Sequence, residues 1–126
     1  MKKMLLMAVL ALMSVSVNAQ VEPICNNPEV MPHYVDGDQG LFKVLLDNMQ
    51  YPQDAEKQKI EGRVVVQLTI EKDGSVSAHK VVHSVSPSLD AEAVRVTKLL
   101  KKWTPAKNKG KVVRTNFTIP VVFRLK

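Results

Sequence analysis

Apolar residues recur along this chain with two periods, and the switches between them mark out its elements. Leu41, Phe42, Leu45, Leu46 and Met49 fall on one face of a helix expected over Gln39–Gln50. Tyr51-Pro52 ends it, because a residue preceding proline disfavours the helical region. Pro52 then opens a short second helix over Gln53–Lys59, with Asp54 and Glu56 at its positive end and Gly62 at its exit. From Arg63 to Glu71 the period drops to two: Val64, Val66, Leu68 and Ile70 share one face, and Arg63, Gln67, Thr69 and Glu71 the other. Asp73-Gly74 reads as a type I′ hairpin turn, which needs positive φ at both central residues. The returning strand, Ser75–Val85, begins with Val76 inward and continues with His79, Val81 and Val85 on the alternate parity, which predicts a bulge near Ser77-Ala78.

Pro87–Trp103 has the clearest helical pattern. Leu89, Ala93, Val96, Leu100 and Trp103 make one stripe, while Glu92, Arg95, Lys98 and Lys102 stay in water. Ser86 is placed to cap this helix with Pro87 at its first position, and Thr104-Pro105 stops it. A basic loop, Ala106–Gly110, leads to a last strand in which Phe117, Ile119, Val121, Phe123 and Leu125 alternate with other residues.

Direction orders these strands. If the hairpin runs up and then down, the Pro87 helix returns the chain upward and the last strand runs down, so antiparallel pairing sets it beside the first strand. The fold class is α+β: a three-stranded antiparallel sheet, order 2-1-3, with helices packed on one face. The last strand is then an edge, which permits Pro120, because a sheet admits proline only at an edge or a bulge. Counted from Val112 to Leu125 it has 14 residues and an extended reach of ~46 Å, longer than the central strand, so several residues are expected to overhang. An unpaired edge of this kind invites another chain.

Composition and charge narrow the setting. Lys2 and Lys3, the apolar run Met4–Met13 and Val17-Asn18-Ala19 have the layout of a cleaved signal peptide over residues 1–19. Met4–Val17 has 14 residues, short of the ~20 that cross a bilayer core, so a retained inner-membrane anchor is the lesser alternative. Residues 20–38, with Pro23, Pro28 and Pro32, read as an extended arm, and residues 39–126 as one domain. Loss of Lys2 and Lys3 takes the formal charge from +6 to +4. For an exported chain this basic balance points to anionic envelope components or acidic peptides and away from nucleic acid. The single cysteine, Cys25, forms no internal disulfide.

The ordered set Tyr51-Pro52 with Ala55, Ile60-Glu61-Gly62-Arg63-Val64, Asp73-Gly74-Ser75-Val76, Leu89-Asp90-Ala91-Glu92-Ala93, Trp103-Thr104-Pro105 and Ile119-Pro120-Val121-Val122-Phe123 resembles the TonB C-terminal domain from Gly40 to the chain's end. That resemblance implies a periplasmic, non-enzymatic module of the energy-transducer family. Such a module captures the TonB-box segment of an outer-membrane transporter as an added strand. It implies a receiving edge made of Val113, Arg114, Thr115, Asn116, Phe117, Thr118, Ile119, Pro120, Val121, Val122, Phe123 and Arg124, helped by Asn48 and Gln50. A full transducer also has a membrane helix and a Pro-rich spacer, so the expectation here is a stand-alone exported receiver. The competing function class is structural: the same edge pairs two copies into a homodimer.

Other chemistry is thin. His79 and His83, four apart in a strand, would share a face, but no third ligand is placed to complete a metal site, and they read as ordinary strand histidines. No cofactor is expected, nor an enzyme: there is no serine elbow or phosphate-cradling glycine loop, and Asp90 and Glu92 lie on a solvent face. Arg114 and Arg124, with Lys107, Lys109 and Lys111, either steer an acidic peptide to the edge or keep the edge from aggregating.

Overall fold

The computed structural model describes residues 23–126. The expected signal peptide and the first residues of the arm lie outside the described residues. Chain order is β1 (His33–Tyr34), α1 (Gly37–Asn48), α2 (Gln53–Lys57), β2 (Gly62–Ile70), β3 (Val76–His83), α3 (Pro87–Thr97), β4 (Trp103–Thr104), β5 (Ala106–Asn108), β6 (Lys111–Val113) and β7 (Thr115–Phe123). The main sheet is antiparallel with order β3-β2-β7, the order expected from chain direction. Two small ribbons, β1-β4 and β5-β6, flank it.

The alternation along β2 sends Val64, Val66, Leu68 and Ile70 under the helices. There they meet Leu89, Ala93, Val96 and Leu100 from the α3 segment and Ile119, Val121 and Phe123 from β7, all fully or almost fully buried. Ser86 accepts a hydrogen bond from the Leu89 N–H and Pro87 sits in the first turn, so α3 starts as its sequence predicts. It ends earlier. Helical bonds tighten to Leu99 N–H→Val96 C=O and Leu100 N–H→Thr97 C=O, and Trp103 leaves the helix for β4. Two partners that the helical stripe could not anticipate hold it there. Tyr34 pairs with it in β1 and meets its ring edge-on at 5.5 Å, and Phe117 meets it at 5.4 Å, so Trp103 is core but not helical.

The helix α1 also departs from expectation. Leu41 and Leu45 are buried and Val44 and Met49 pack on the core, but Phe42 is 50% exposed and Leu46 72%. Among the described elements this helix packs mainly against β1 and α3. Residues ~100° further round from the Leu41–Leu45 line therefore face outward.

Turns account for the remaining differences. Gly74 has positive φ and Asp73 does not. Glu71 N–H donates to Ser75 C=O and Gly74 N–H to Glu71 C=O, closing a three-residue loop instead of a type I′ turn. The pair of positive φ values occurs at Lys109 and Gly110, where the expected basic loop folds into the β5-β6 hairpin. That hairpin takes Val112 and Val113 out of the last strand. In consequence β7 has nine residues, matched one for one by the nine of β2, and the expected overhang does not exist. Gly62 opens β2 and is not the exit of α2; left-handed Lys59 makes that exit, with Ile60 N–H bonded to Ala55 C=O. On β3 the register skips Ser77, as expected, and skips again at Val82. The second bulge reverses parity, so His79 lies opposite Leu68 on the helix side and His83 opposite Val65 on the open side. The two histidines do not share a face, and no group of three or more ligating side chains occurs among the described residues.

Candidate functional site

Main-chain direction along β7 follows from the hairpin. Glu71 turns its N–H and C=O toward β3, so alternation along β2 turns the even-numbered residues, Gly62 to Ile70, toward β7. Their partners are Phe123, Val121, Ile119, Phe117 and Thr115, and these odd-numbered residues of β7 spend their main-chain groups on the sheet. Asn116, Thr118, Pro120 and Val122 therefore face the outer edge. Pro120 sits where the missing N–H costs the sheet nothing. The outer edge presents three N–H donors, on Asn116, Thr118 and Val122, and four carbonyls, the fourth on Pro120. None of these has a main-chain partner among the described residues.

Side chains sort with the same parity. Thr115, Ile119, Val121 and Phe123 are buried and Phe117 is largely so, which anchors the strand, while Thr118, Pro120 and Val122 are exposed on the open sheet face. Thr69 Oγ1 donates to Asn116 Oδ1 at 2.8 Å across the strands. The outer edge of β3 is the other rim of this sheet, but its two bulges break the even spacing that an added strand needs.

The remaining expected site residues are dispersed. Val113 belongs to β6. The Arg114 Nε lies 2.9 Å from both carboxylate oxygens of Glu71, so its charge is compensated. A hydrogen bond from Ser77, then the pairing with Arg114, holds the Glu71 carboxyl below its ordinary range against the opposing effect of burial. Arg124 is exposed just beyond β7.

Asn48 and Gln50 are held by α3. The Glu92 carboxylate, its side chain only 10% exposed, accepts from Gln50 N–H at 2.7 Å and from Arg95 Nε and Nη2 at 2.8 Å, and Arg95 Nη2 also donates to Asn48 C=O at 2.7 Å. Burial pushes the Glu92 carboxyl up, and the bonds from Arg95 and Gln50 outweigh it and hold the carboxyl low. Glu92 is thus a structural clamp and not the solvated residue the stripe suggested. Next in the chain, Tyr51 packs edge-on against Phe123 at 5.7 Å and donates its hydroxyl to Ile60 C=O. The clamped segment and β7 are thereby joined through one aromatic contact.

The arm also reaches the edge, which its sequence did not disclose. Cys25 N–H donates to Arg114 C=O at 2.7 Å, and Thr115 Oγ1 donates to Cys25 C=O at 2.6 Å.

Residues 47–125 match the family model described as "Gram-negative bacterial TonB protein C-terminal". Two solution structures of the Helicobacter pylori TonB C-terminal domain resemble this fold. One has 27% identity over 70% of this chain and 79% of that one, with a TM-score of 0.55. The other has 28% identity over 70% and 92%, with a TM-score of 0.53. The Pseudomonas aeruginosa TonB C-terminal domain is 31% identical over 64% of this chain and 81% of that one, with a TM-score of 0.46. No curated protein matches the chain.

Proposed function

Because this chain belongs to the family of Gram-negative bacterial TonB C-terminal domains, a transport-related module, we propose that it receives an extended segment of an outer-membrane transporter, the TonB box, along the outer edge of β7 in the periplasm. One observation carries this reading. From Asn116 to Val122 a regular run of main-chain donors and acceptors points away from the sheet on a strand anchored by its other face. An added strand that pairs there gains main-chain hydrogen bonds, each worth ~0.5–1.5 kcal/mol net. Pro120 removes one donor from the middle of the run without closing it. No helix among the described residues is long and apolar enough to cross a membrane. The reading asks none of this domain, whose part is to hold a strand.

Amide hydrogen exchange tests it. On adding periplasm-facing peptides of the source cell's outer-membrane transporters, the amides of Asn116, Thr118 and Val122 gain protection and those of β3 do not. Protection that appears without peptide and grows with protein concentration, alongside a dimer in light scattering, would instead mean that two copies share the edge.

A further inference from the structure

Arg114 lies immediately before β7, and extending the strand's parity by one residue makes its carbonyl the next acceptor in line with the outer edge. Cys25 N–H already occupies it at 2.7 Å, and Thr115 Oγ1 fixes the Cys25 carbonyl from the other side at 2.6 Å. Thr115 is fully buried, so the hydroxyl that holds the arm is itself immobile. Further along, the arm is tied to the β5-β6 hairpin. Val30 and Lys107 exchange both main-chain bonds at 2.9 Å, and Glu29 accepts from Lys109 N–H at 2.6 Å. Pro23, two residues before Cys25, brings no N–H of its own.

A strand added along Asn116–Val122 lies in line with this docked segment. Building on the strand-docking reading above, we propose that Cys25, held by Arg114 and Thr115, is the end-stop of the docking edge: it ends the pairing of the incoming strand at Asn116 and so fixes its register from that end. An incoming residue that sought the Arg114 carbonyl would have to displace a bond already made, so lengthening the partner past this point adds no main-chain pairing. An antiparallel partner meets the stop with its C-terminal end and a parallel one with its N-terminal end. The stop therefore also marks where the transporter chain must turn away from the sheet.

The probes are synthetic peptides of alternating Thr and Val, chosen for β propensity, lengthened by one pair of residues at a time at either end. In the full chain, lengthening toward Cys25 raises affinity about 2–10-fold for each added main-chain bond until the peptide reaches Asn116, and then levels off, whereas lengthening past Val122 meets no such stop. In the variant Cys25→Pro/Thr115→Val, which lacks both holding bonds, the plateau moves to longer peptides. A second measurement needs no altered arm: peptides with an activated disulfide at one end or the other are offered to the native Cys25 thiol. Peptides activated at the end that abuts the stop become linked, and those activated at the opposite end do not. An affinity that keeps rising past Asn116 toward Cys25 in the unaltered chain, a plateau unmoved in the variant, or linkage equal from both ends would overturn the end-stop while leaving strand docking intact. Failure of every peptide to protect the Asn116, Thr118 and Val122 amides would instead overturn the strand-docking reading and the stop with it.

Discussion

Replacing Glu92 by glutamine tests whether the clamp on residues 48–50 is structural. The carboxylate serves three donors, Gln50 N–H and two guanidinium nitrogens of Arg95. Glutamine keeps the shape but turns one acceptor into an NH₂ group that must face a donor. The hydrogen bond from Gln50 to a charged, largely buried oxygen is worth ~1.5–3 kcal/mol. The Arg95 contact is worth less, because the Arg95 side chain is 48% exposed and screened. Since glutamine preserves one acceptor, the expected net loss is ~1–2 kcal/mol in urea unfolding, with a Tm lowered by ~4–8 °C for each kcal/mol. Arg95→Gln alone should cost less, and the double variant less than the sum of the two, because the residues are in contact. A Glu92→Gln loss below ~0.3 kcal/mol, or strict additivity in the cycle, would refute the clamp.

Two further outcomes follow from particular residues. Gly74→Ala places a Cβ 2.2 Å from the Trp103 carbonyl oxygen at φ +87, so unfolding should show a loss of ~1–3 kcal/mol or more, and a midpoint within error of the unaltered chain would contradict the geometry. Burial, reinforced by Lys98, pushes the His79 pKa below its ordinary value, and its buried Nε2 has no hydrogen-bond partner among the described residues. The unfolded chain then takes up the proton first, so the stability His79 contributes is present above about pH 6.5 and is lost as pH falls through the folded value. Urea midpoints measured across that window should slope less in His79→Leu than in the unaltered chain.

Much of this fold was legible because local signals and global packing agree. The alternation of β2, the α3 stripe with its Ser86-Pro87 start, and the bulge at Ser77 each appear where the sequence puts them. What stayed hidden depends on contacts made between segments. Trp103 continues the helical stripe in sequence, yet Tyr34 and Phe117 draw it into β4. A Lys109-Gly110 turn carries none of the Asn-Gly or Asp-Gly signal, so β5-β6 read as a loop and the last strand read too long. The bulge at Val82 inverts His83, and no residue type announces it. Within the site, Pro120 disclosed the edge correctly, but the compensation of Arg114 by Glu71 and the docking of Cys25 required coordinates.

Paired proline substitutions on β7 test the central claim most directly. The N–H of Thr118 faces outward and that of Ile119 faces β2. Thr118→Pro should leave the unfolding midpoint nearly unchanged and weaken binding of the transporter peptide by at least about 2–10-fold, the loss of one main-chain bond. Ile119→Pro should instead destabilise the fold by ~2 kcal/mol or more, because it removes a ladder hydrogen bond and truncates a buried side chain. A Thr118→Pro domain that is fully folded and binds the peptide as tightly as the unaltered chain would contradict strand docking at this edge.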